Sequence, residues 1–190
     1  MNTRLLRQTT LSAALALASF SSAHAIEYAA IDTAHSSIAF TYQQMGVKME
    51  GGFDAIEAPE FNFDPAAPEK ASVVLQIPLA GIDVGTEEAN AEVEKSEWLN
   101  TPAHPLARFE SNSVQALGDN RYQVTGKLAI KGHEQAVTAA FTLDEKDGTA
   151  LFTGAFILKR GDFGIGEGDW SDFSIVANDI QITFNVVAKP

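Results

Sequence analysis

The densest set of groups that could act on a substrate lies in Gly161–Asp172 (GDFGIGEGDWSD). Asp162, Glu167, Asp169 and Asp172 could supply a carboxylate pair for acid–base chemistry or oxygen ligands for calcium. Their spacing lacks the alternating D-x-D-x-D-G of an EF-hand loop, and glycines among acids are also the composition of a solvated loop. Of the four histidines, His24 falls in a leader segment, which leaves His35, His104 and His133. No two of these sit at metal-ligand spacing, and the chain has no cysteine to provide a thiolate. Neither GxSxG nor GxxxxGK[ST] is present, so ordinary serine-hydrolase and NTPase chemistry lack their motifs. We therefore expect no metal, no cofactor and no catalytic residue: His133 reads as a turn residue, His104 as a loop residue and His35 as hydrogen-bonded. The remaining enzyme reading would join the Asp162–Asp172 loop to His35.

Aromatic side chains are the more informative set, because they recur in nearly every segment with strand character: Phe40, Tyr42, Phe53, Phe109, Phe141, Phe152, Phe163 and Phe184 among them. If the sheet closes into a barrel of about eight strands, such a lining can either fill the interior or enclose one apolar guest. Alternation alone does not choose between a packed core and a cavity.

The elements that must position these residues begin after a leader. Arg4 and Arg7 precede an apolar stretch, Leu11–Phe20, and Ala23-His24-Ala25 follows. That order is a secretory signal, and the stretch is too short to cross a bilayer. We expect cleavage after Ala25, a single domain over 26–190, and a periplasmic location. The leader holds two of the 13 basic residues and none of the 25 acidic ones, so the rest carries 11 minus 25, or −14. Such a surface repels phosphates and argues against nucleic acid and anionic headgroups.

Period-two alternation dominates the mature chain and is the signal of strands with one dry face. Tyr122, Val124, Leu128 and Ile130 share a face. So do Ile38, Phe40 and Tyr42; Val73, Leu75 and Ile77; Val137, Ala139, Phe141 and Leu143; and Ile180, Ile182, Phe184 and Val186. Gly118-Asp119-Asn120, Lys131-Gly132-His133 and Asp147-Gly148 mark hairpins between alternating runs. Thr86–Lys95 breaks the pattern and predicts one short helix capped by Thr86. The fold is all-β and antiparallel, either a two-sheet sandwich or a barrel.

Six spaced blocks then resemble the YceI-like family. They are Tyr28–Phe40 (YAAIDTAHSSIAF), Gly51-Gly-Phe53, Pro105–Ser111 (PLARFES), Val124–Gly132 (VTGKLAIKG), Lys159–Ile165 (KRGDFGI) and Val176–Ile182 (VANDIQI). The chain departs from the family pattern at Ala89–Val93 and at His104. The resemblance implies a lipocalin-like antiparallel barrel with an elongated apolar tunnel, which selects barrel over sandwich and cavity over packed core. It implies a periplasmic carrier or storage protein for a polyisoprenoid, an isoprenoid quinone or a fatty-acyl lipid. Some relatives sit beside cytochrome b561 proteins, so a transient contact with such a membrane protein is a further expectation, as is a homodimer. Matching the alternating faces to the family's blocks places Ile38, Phe40, Tyr42, Phe53, Phe109, Leu128, Phe141 and Phe163 in the tunnel wall. The rival readings are the acidic-loop enzyme and a partner-binding stress protein with an incidental cavity.

Overall fold

The computed structural model describes residues 26–190; the expected leader and the expected cleavage after Ala25 lie outside the described residues. The chain runs through β1 (Ala30–Ile31), β2 (Ser37–Gln44), β3 (Val47–Phe53), β4 (Glu57–Asn62), β5 (Ser72–Pro78), β6 (Ile82–Asp83), α1 (Glu87–Val93), β7 (Leu106–Gly118), β8 (Arg121–Ile130), β9 (His133–Lys146), β10 (Thr149–Lys159) and β11 (Asp179–Lys189). Two-residue turns join β2 to β3, β7 to β8, β8 to β9 and β9 to β10. Both positions of each turn have positive φ: Met45–Gly46, Asp119–Asn120, Lys131–Gly132 and Asp147–Gly148. Such turns match the right-handed twist of the strands they join, which is why Asn, Asp and Gly favour them. Three were legible from composition. Met45 carries no turn signal, so the fourth was not.

The strands form one antiparallel sheet in the order β4-β5-β7-β8-β9-β10-β11-β2-β3-β6, with β1 beside β11. The sheet curls into a half-barrel. Its far edge is tied back by an isolated pair of backbone bonds, Tyr28 N–H to the Phe63 carbonyl at 2.9 Å and Phe63 N–H to the Tyr28 carbonyl at 3.0 Å. The expected barrel of about eight strands gains short members that alternation cannot reveal. Strands β1 and β6 have two residues each, and β4 is an edge strand broken by Pro59 and a register shift.

The one α-helix among the described residues starts where Thr86 predicts it, the Thr86 hydroxyl accepting from the Ala89 N–H at 3.2 Å. One end of the barrel is packed solid by aromatic rings. Phe63 meets Phe152 and Tyr122 edge-on at 5.1 and 5.3 Å, and Tyr122 stacks on Phe141 at 5.3 Å. Tyr28 is fully buried beside them and donates its hydroxyl to Glu145 at 2.6 Å. Burial, reinforced by that carboxylate, pushes the Tyr28 pKa up to about 12.

Candidate functional site

Beyond the aromatic plug the inward faces enclose a cavity of about 380 Å³. That volume lies within the range of ordinary ligand pockets. Ile38, Phe40, Tyr42, Phe53, Phe109, Leu128 and Phe141 all line it, so seven of the eight residues expected in a tunnel wall share one lumen. Ile38, Tyr42, Phe53 and Phe109 are only partly buried although they point inward from the sheet. All four line the cavity.

Three glycines shape this wall. Gly51, Gly126 and Gly154 stand on the inner face, and the rings of Phe40, Phe109 and Phe184 fill the space a Cβ would need at each. Phe40 pairs with Gly51 across β2 and β3, and Phe184 with Gly154 across β10 and β11. With no side chain beneath it, each ring settles against the sheet. A glycine inside an alternating strand is the sequence signal of such close approach.

Phe163 is the exception. It lies on a tight turn, Arg160–Phe163, is 2% exposed, and is not part of the wall. Strand β10 ends at Lys159 after aiming Phe152, Phe156 and Leu158 inward, so the next inward position is Arg160, and the turn that follows carries Phe163 out of the strand pattern. Arg160 takes the wall position instead. Its side chain is 1% exposed and has no carboxylate partner among the described residues. Its Nε donates to the Val176 and Ala177 carbonyls, both at 3.2 Å. Nη1 donates to Ile165 at 2.7 Å and Gly166 at 3.0 Å, and Nη2 to Trp170 at 2.8 Å and Val176 at 2.7 Å. Burial lowers the Arg160 pKa. The guanidinium thus organises residues 160–177 into a plug over the second end of the barrel.

The segment after α1 completes that plug. The N–H groups of Gly166 and Glu167 both donate to the Glu97 carbonyl at 2.8 Å. Next to Glu97, Trp98 lines the cavity and lies 5.3 Å from Trp170, ring to ring. Lys131, also buried, donates to the Gly164 carbonyl at 2.5 Å and to Glu167 at 2.7 Å. That ammonium lowers the Glu167 pKa. Sequence reasoning missed Trp98 because it lies in no alternating run, and Arg160 because a guanidinium is not an apolar wall residue, although it holds the inward position after Phe152, Phe156 and Leu158.

The acidic loop and His35 do not meet. Lys159, just before the loop, pairs with Asp179 at the start of β11, whereas Asp32 beside His35 bonds to Val187 near its end. Eight strand residues separate the two, roughly 26 Å at the usual rise. His35 instead bonds Asp32 at 3.0 Å. Asp172 caps the Ser174 N–H at 2.8 Å, and among the described residues no three His, Asp or Glu side chains converge to hold a metal. The joint constellation of the enzyme reading is not formed.

Residues 30–188 match the YceI-like domain. The chain belongs to the YceI-like family. A UPF0312 protein of Azotobacter vinelandii is 31% identical over 138 residues, 69% of this chain and 71% of that one. Another from Pseudomonas syringae pv. tomato is 29% identical over 162 residues, 82% of each. Among solved structures, Burkholderia cenocepacia BcnA superposes with a TM-score of 0.81 at 37% identity, covering 84% of this YceI-like chain and 100% of BcnA. A polyisoprenoid binding domain from Saccharophagus degradans shares the YceI-like fold, with a TM-score of 0.66 at 12% identity over 85% of this chain and 97% of that one.

Proposed function

We propose that this YceI-like chain is a periplasmic carrier or storage protein for an elongated apolar lipid, a polyisoprenoid, isoprenoid quinone or fatty-acyl chain, and that it performs no catalysis. The observation that carries the reading is the cavity itself, whose walls come from nearly every strand and are almost wholly aliphatic and aromatic. Each CH₂ moved from water into such walls contributes about 0.8 kcal/mol, so a chain of several isoprene units is held without any charged clamp. The fold neighbour from Saccharophagus degradans, described as a polyisoprenoid binding domain, supports an isoprenoid guest. The leader ending at Ala25 supports export, and a transient contact with a membrane cytochrome b561 and a homodimer belong to the same reading.

Native mass spectrometry of protein purified from an exporting host, before and after organic extraction, tests it. A lipid of defined mass that extraction removes, on a chain beginning at Ile26, is the expected result. Protein that is empty as purified and takes up no lipid added afterwards overturns the reading.

A further inference from the structure

In a cavity wall that is otherwise aliphatic and aromatic, the uncharged side chains that carry oxygen are Tyr42 and Gln44. Both belong to β2, where a spacing of two residues puts them on the same inward face, about 7 Å apart along the strand. Each is half-buried, and neither side chain has a hydrogen-bond partner among the described residues. They are not sealed in the protein either, since the enclosed side-chain atom that lacks a partner is the Trp98 Nε1. Burial pushes the Tyr42 pKa up, so its hydroxyl stands in surroundings poor in water. An open hydroxyl on an inward side chain in such surroundings faces the lumen.

Resting on the carrier reading, we propose that Tyr42 and Gln44 seat an uncharged hydroxyl terminus of the guest and thereby fix the direction in which the guest lies. Gln44 pairs with Val176, whose carbonyl Arg160 holds, so the seat is at the Arg160 end of the lumen. The apolar tail then runs toward the Phe63, Tyr122 and Phe152 rings that close the other end. A hydroxyl gives one hydrogen bond and accepts others, and a phenol and a carboxamide can each do both. A carboxylate or phosphate would find no such match. Arg160, the one cation on the wall among the described residues, gives its N–H donors to backbone carbonyls, and Glu92 on the same wall adds repulsion. The buried charge would stay unpaired. A hydrocarbon terminus would leave the two side chains unpaired instead.

Delipidated protein is titrated with three probes of one isoprenoid skeleton: farnesol, β-farnesene, which lacks the oxygen, and farnesoic acid. The fluorescence of Trp98 and Trp170, both on the cavity wall, reads occupancy. Tyr42→Phe and, separately, Gln44→Met should each cut the ratio of farnesol affinity to farnesene affinity about three- to tenfold, the worth of one hydrogen bond. A loss of packing alone would weaken both probes together and leave that ratio where it was. A ratio that survives either variant therefore overturns the two-group seat while the carrier reading stands. Farnesoic acid binding the wild-type protein more tightly than farnesol overturns the uncharged terminus, again without touching the carrier reading. If wild-type protein binds none of the three, the carrier reading falls and this proposal with it.

Discussion

The Phe109 ring occupies the space that a side chain on Gly126 would need. A Cβ placed there would stand 2.6 Å from two of its ring carbons and would also collide with the Glu110 carbonyl oxygen. The lumen is therefore shaped by what the strands leave out as much as by the side chains they project.

Gly126→Ala is expected to force the Phe109 ring toward the lumen and strain β7 against β8. The cost should be about 1–3 kcal/mol, as for other overpacked sites, with lipid content reduced in the surviving folded protein. Urea unfolding together with native mass spectrometry checks it. Unchanged stability would mean that the ring moves aside freely.

Phe109→Asp should abolish lipid carriage, because an unpaired carboxylate in the wall either draws water into the lumen or shifts its pKa to become neutral. Phe109→Leu keeps the wall apolar and should weaken binding only modestly. Folded Phe109→Asp protein with a full lipid load would remove Phe109 from the binding wall.

Arg160→Leu should destabilise the fold by about 3–5 kcal/mol, since it strands five carbonyls that the guanidinium now serves. Arg160→Lys should rescue little, because a point charge on a flexible stem cannot span that set. Chemical denaturation distinguishes these outcomes. A loss under 1 kcal/mol in Arg160→Leu would show the plug to be held by other contacts.

Tyr28 should make the fold sensitive to alkali. Its pKa is raised from 10.0 to about 12 by burial and by Glu145. A folded-state pKa above the unfolded one gives stability that is complete below pH 10 and is lost as pH rises toward 12, by on the order of 2–3 kcal/mol. Tyr122 shifts in the same direction and adds to the loss. Tyr28→Phe is expected to flatten the fall in melting temperature between pH 10 and 12. An equally steep fall in that variant would assign the sensitivity elsewhere.

Read alone, the sequence determined the alternating strands β2, β5, β8, β9 and β11, three of the four tight turns, the capped helix and most of the inward set. Each of these is local: a period of two puts every second side chain on one face, and two residues of turn chemistry reverse the chain. The same locality set its limits. Whether Phe40, Phe109 and Phe141 pack against each other or stand apart around a lumen depends on how far the sheet curls, which the Tyr28–Phe63 bonds fix between residues 35 positions apart. Phe163 is expected in the wall from the match of Lys159–Ile165 to a family block, but β10 projects Phe152, Phe156 and Leu158 inward and so leaves Arg160, not Phe163, at the next inward position. Arg160, Trp98 and Trp170 meet only because the 94–104 and 160–177 segments fold over the same end of the barrel, joined through the Glu97 carbonyl. Contacts between segments so distant in the chain are set by the closure of the whole sheet, and no pattern within either segment encodes them.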